Sequence, residues 1–221
     1  MPTKARLPAN PTARRNFSGR VARWFMTSCR TSSLLVRSAP AFMGERAEMT
    51  RINDDQIRKQ LDEAEGYLML DLPERSLQIL ESRPDWLGMQ FEASFLKGEA
   101  LRTLKHYREA LRPLEVAAGL RPSDTRVALA LGWCYKRTNR LAQAIDSLER
   151  ALREHPDNAL LHYNLACYWS LAGNSSKALD ALSSALSIDA NLRTMVADEA
   201  DFDQLRGNPE FERLMGHASS A

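Results

Sequence analysis

The chain has 221 residues, of which 44% are hydrophobic and 7% aromatic, enough apolar material for one or two domains. Its formal net charge of +2 hides an uneven division: residues 1–48 carry nine Lys or Arg and two Glu, leaving 21 basic and 26 acidic residues for 49–221. The acidic balance of the larger part gives no general attraction to nucleic acid. No apolar run reaches the ~18 residues that cross a bilayer, and three cysteines do not read as an oxidised framework.

Residues 1–48 are basic, contain Ser and Pro, and have no acidic residue before Glu45. Composition predicts disorder. Three further readings remain open: a transit peptide built on Phe17, Val21, Trp24 and Phe25 among arginines, a twin-arginine signal at Arg14 and Arg15, or a true start at Met43 or Met49. The expected location is cytoplasmic, or mitochondrial or plastid if the segment is a transit peptide.

From about Asp54 the pattern is helical. Ile57, Leu61, Ala64 and Leu68 share one face, and Asp71-Leu72-Pro73 ends that helix and starts the next, which Pro84 cuts short. Asp85 is the predicted N-cap of a helix over about 86–105, and its partner carries Tyr107, Ala110, Leu111, Leu114 and Ala117 before Pro122. The next unit is the clearest. Ala128, Leu131, Gly132 and Tyr135 fall on one side of a first helix, the chain breaks at Arg137 to Arg140, and Leu141, Ala144, Ile145, Leu148, Ala151 and Leu152 stripe a second helix that stops at Pro156. Small residues at 128, 132, 144 and 151 predict close antiparallel packing.

That unit repeats. Ala144, Leu148 and Ala151 recur 34 residues later as Ala178, Leu182 and Ala185, and 34 earlier as Ala110, Leu114 and Ala117; Leu131-Gly132 recurs as Leu165-Ala166, and Pro156 is answered by Pro122. A period of 34 with L-G-x2-Y, A-x3-L and P resembles the tetratricopeptide repeat (TPR) family. After Asn191 a short amphipathic helix precedes Asp201-Phe202-Asp203-Gln204-Leu205-Arg206, then Pro209 and Phe211. This stretch is similar to the segment that closes many bacterial TPR arrays.

The resemblance implies an all-α fold: a right-handed solenoid of antiparallel helix pairs, with repeats at about 57–90, 91–124, 125–158 and 159–192 and a capping segment at 193–221. It also implies a concave groove lined by the first helices that holds a peptide or another protein; Leu129, Trp133 and Tyr163 there suit an apolar or aromatic anchor and Arg126, Lys136 and Arg137 suit acidic groups, so a segment of mixed acidic and apolar character is expected. Phe95, Glu99, Arg102, Arg126, Leu129, Trp133, Lys136, Arg137, Tyr163 and Asn164 are the expected groove residues. The places where chaperone-binding members hold a carboxylate clamp carry Phe95, Glu99, Ala130, Leu160 and Asn164 here, so no such clamp is expected.

No Gly-rich phosphate loop, H-E-x-x-H or C-x-x-C occurs. The expected protein is therefore a non-enzymatic adaptor without metal or cofactor, with no nucleic-acid or membrane partner. The competing reading is a structural subunit or self-associating scaffold that uses its lateral surface.

Overall fold

A computed structural model describes the backbone of residues 39–216 and the side chains of 53–216. The chain divides at residues 41 and 42, and the fold below is that of the second unit, Phe42–Ala221. The transit-peptide and twin-arginine readings rest on residues 14–25 and lie outside the described residues.

Helices follow one another as α1 (Ala39–Met69), α2 (Pro73–Leu80), α3 (Gln90–Thr103), α4 (Tyr107–Leu120), α5 (Thr125–Arg137), α6 (Leu141–Glu154), α7 (Ala159–Leu171), α8 (Ser175–Ile188) and α9 (Leu192–Asp198). A 3-10 helix at Ala200–Leu205 and α10 (Pro209–Met215) complete the order, with no strand among the described residues. Pairs α3/α4, α5/α6 and α7/α8 pack as hairpins, each second helix also touches the next first helix, and α3, α5 and α7 touch in succession. The result is an all-α solenoid whose first helices line one side.

The 34-residue period has a concrete cause. Asp71, Lys105, Asn139 and Gly173 stand 34 apart and all adopt left-handed backbone, with φ of 56°, 64°, 61° and 74°. The residue after each donates its amide back to a carbonyl five positions earlier: Leu72 to Tyr67, His106 to Leu101, Arg140 to Tyr135 and Asn174 to Trp169, at 2.8–3.0 Å. This is the Schellman ending, which satisfies the last carbonyls of the first helix while reversing the chain. The first pair has the same turn as the others, although its second helix is shorter than theirs.

Past each turn the small residues set the spacing. Ser76, Ala110, Ala144 and Ala178 are 0% exposed, as are Leu114, Leu148 and Leu182 one helical turn on. A Cβ on Gly98 would fall inside the van der Waals shell of Leu114 Cγ and Cδ2, so only glycine lets α3 approach α4 there. Two first helices, α5 and α7, are also fixed at their starts: the Asp124 carboxylate accepts from the amides of Arg126 and Val127 at 3.0 and 3.2 Å, and Asn158 accepts from Leu161 at 3.1 Å.

Two boundaries differ from expectation. Helix α1 begins at Ala39 rather than near Asp54, reaching into the stretch assigned to the basic extension; Pro40 falls in its first turn, where its missing N–H costs nothing. Helix α3 begins at Gln90, so Asp85 is not its N-cap. Gly88, with φ of 76°, interrupts the chain ahead of it, and Trp86 folds into the core instead, donating its indole N–H to the Leu80 carbonyl at 3.3 Å. Helix α2 has eight residues where α4, α6 and α8 have fourteen.

Replacing Gly98 by Ala forces Leu114 off its position and lowers unfolding free energy by about 1–3 kcal/mol. Urea titration of the two proteins measures the difference, and equal midpoints would show that the helices have room to separate.

Candidate functional site

Seven of the ten expected groove residues meet. Phe95, Glu99 and Arg102 from α3, Arg126, Leu129 and Trp133 from α5, and Asn164 from α7 line one open cavity of about 400 Å³, together with Ala130 and Leu160. Their convergence follows from the stacking of α3, α5 and α7, which puts residues three and four apart on the same exposed side. A second cavity of about 420 Å³ shares Phe95 and Arg126 with the first and runs toward α1 through Phe91, Glu92, Arg121, Arg58, Asp62 and Glu65. The two form a continuous trough. Sequence reasoning missed the α1 half because the first repeat departs from the family spacing.

The floor of the trough is apolar. Phe91 and Phe95 stack at 6.2 Å with planes 5° apart, and Trp133 and Leu160 are 38% and 41% exposed. Three of its cations are held by the chain's own carboxylates. Arg102 makes two 2.8 Å hydrogen bonds to Glu99, which raise its pKa against the opposing effect of burial. Arg126 bonds Asp124 at 2.9 Å and lies over the Phe95 ring at 4.9 Å. Burial works against the Asp124 carboxylate, yet the bonds from Arg126 and the Val127 amide hold its pKa below the usual range. Arg121 pairs with Glu92 at 2.6 Å and covers Phe91 at 3.7 Å. The Asn164 amide donates to the Leu160 carbonyl within its own helix, at 2.8 Å.

Three expected groove residues are engaged elsewhere. Tyr163 is buried, with its ring 5.9 Å from Phe202 in an edge contact. Lys136 pairs with Asp201, and both side chains are more than four-fifths buried. Arg137 lies over the Tyr107 ring at 5.3 Å, beside the α3–α4 turn. The first two have one cause. The 3-10 helix packs on α7, carrying Phe202 onto Tyr163 and Phe211, the latter at 6.1 Å. The closing segment thus covers the same side that the first helices line, over α7 and the end of α5. The signal was present in the sequence as the Asp201-Phe202 pair, an acidic and an aromatic residue side by side.

The thiols belong to the packing. Burial pushes Cys134 up to about 12 and raises Cys167 further. Among the described residues no group of three His, Cys, Asp or Glu is placed to hold a metal ion; His162 Nε2 lies 2.8 Å from the Pro156 carbonyl instead.

Residues 101–166 match the family model described as tetratricopeptide repeat. That stretch belongs to the tetratricopeptide repeat family. Among solved structures, this chain is similar to MamA residues 41 to the end from Desulfovibrio magneticus RS-1: TM-score 0.58 at 19% identity, over 74% of this chain and 95% of that one. A second MamA structure gives 0.58 at 16% identity, over 67% and 86%. YrrB, described as a TPR protein with an unusual peptide-binding site, gives 0.56 at 20% identity, over 61% and 69%. At these identities the likeness is one of fold. No curated protein matches the chain.

Because the neutral thiol is the poor nucleophile, Cys134 and Cys167 of this array resist iodoacetamide near neutral pH and react once the fold is denatured. Peptide mass mapping reads both states, and modification of either thiol in the native protein would contradict their burial.

Proposed function

We propose that this protein is a non-enzymatic adaptor that takes a segment of a partner protein in the trough along α1, α3 and α5. The observation that supports it most is the convergence of Phe95, Leu129, Trp133 and Leu160 on one open cavity. Large apolar side chains left part-exposed in a concavity are where binding energy concentrates. A TPR fold neighbour whose description includes a peptide-binding site adds to the reading.

The preferred segment differs from the one composition suggests. Arg102, Arg121 and Arg126 each already have a carboxylate partner, and Lys136 has Asp201. An acidic ligand would have to break those pairs. At the α1 end Arg58 stands with Asp62 and Glu65, and over both cavities four cations face four carboxylates, so the lining carries no net charge. The occupant is therefore an apolar or aromatic segment, uncharged at its centre.

The scaffold reading retains one observation: Val116 and Leu120, a helical turn apart on α4, are 42% and 50% exposed away from the trough. Self-association through that face predicts a stable oligomer of the full chain in light scattering.

The adaptor reading is tested by affinity capture from the source cell with the full chain, with Trp133→Ala plus Leu129→Ala, and with Val116→Glu plus Leu120→Glu. Trp133 and Leu129 changes should cost about 2 kcal/mol or more of binding, seen as loss of partners that the α4 variant retains. Partners kept by the trough variant and lost by the α4 variant would favour the scaffold.

A further inference from the structure

The four hairpin turns are equivalent by their left-handed residues, and the hairpins stack side by side, so the turns form a row along one edge of the solenoid. The row has an unusual surface. At its α1–α2 end Met69 and Leu70, adjacent in sequence, are 79% and 70% exposed, with Leu72 also exposed; at its α7–α8 end Leu171 is exposed. Between and around them stand the exposed cations Arg75, Lys105, Arg108, Arg137, Arg140 and Lys177. None of these six makes an ion pair among the described residues. Two aromatic rings interleave with them: Arg137 lies over Tyr107, and Lys177 lies 4.1 Å from the Trp169 centroid. The edge also carries Asp71, Glu74 and Glu109, with His106 3.8 Å from Glu109. Six cations against three carboxylates leave it positive, in a unit whose overall balance is acidic.

The geometry points to a peripheral contact of this edge with an anionic phospholipid surface, separate from the trough and not dependent on it. Apolar residues on a protruding turn have no walls around them, unlike the trough. A turn tip of that kind suits a fluid layer that closes around it, while cations spread along a row suit a charged plane. No described helix is long and apolar enough to cross a membrane, and this contact needs none. Met69, Leu70 and Leu72 would enter the headgroup boundary as Lys105, Arg108, Arg137 and Arg140 meet lipid phosphates. Asp71 and Glu74 beside the tip oppose the contact, so the binding is reversible and weakens as salt screens the cations.

The test is vesicle co-sedimentation of the full chain on phosphatidylcholine alone and on phosphatidylcholine mixed with phosphatidylserine. The expected result is binding to the anionic vesicles only, lost at high salt. Lys105→Glu with Arg140→Glu should reduce it roughly tenfold or more, and Met69→Ser with Leu70→Ser should reduce it several-fold, each with unchanged helical circular dichroism. Residues 1–48 are basic and can bind anionic vesicles by themselves, so the variants decide. If both pairs bind as the parent does, the affinity belongs to that segment and the proposal fails. Failure to bind anionic vesicles, or equal binding to the neutral ones, overturns it as well. Loss with the charge variant alone would show that the apolar tip takes no part and would overturn the membrane assignment in favour of an acidic protein.

Discussion

Two helices lie close only where their facing side chains are small, and this chain satisfies that condition at fixed intervals. Ala110, Ala144 and Ala178, with Ala117, Ala151 and Ala185 two turns further on, are wholly buried between paired helices. Each pair is then closed by a left-handed residue in the same place. Because the same contact is made each time, successive pairs stack in one orientation and α3, α5 and α7 come to line one side. The trough is a consequence of that repetition, since no single repeat could enclose it.

What distinguishes this solenoid is how its concave side is shared. Toward the C-terminal end the chain's own segment occupies it, through Phe202 on Tyr163 and Asp201 on Lys136. Truncating one member of that nearly buried pair leaves a charge without its partner, which makes the contact hard to displace piecemeal. Toward the N-terminal end the same side is open, floored by Phe91, Phe95, Leu129 and Trp133. The division follows from chain order, because the closing segment directly succeeds α8 and α9 and reaches only the helices beside it.

Much of this was legible in the residues. A period of 34 is read directly from alanine and leucine spacing, and helical periodicity separated the packing side of α5 from the side on which Arg126, Leu129 and Trp133 line one cavity with Phe95 and Glu99. Periodicity says which side of a helix a residue occupies, though, and not what will cover that side. Tyr163 and Lys136 sit on the expected face and are nonetheless covered by residues some forty and sixty-five positions later. Arg137 shows a different limit. At the last turn of α5 a long side chain can leave its face, and it lies over Tyr107. The start of α3 was hidden because Trp86 reads as helical by spacing, while Gly88 and the short α2 let it turn inward.

The division of the concave side is the claim most open to direct measurement. Amide hydrogen exchange of the full chain, followed by peptide, reports whether residues 200–205 are part of the folded array. Slow exchange in that segment, rising together with α7 as denaturant is added, is the predicted result. Exchange there at the rate of an unfolded peptide, with α7 still protected, would mean that the segment does not occupy the groove and that the open trough extends over Tyr163.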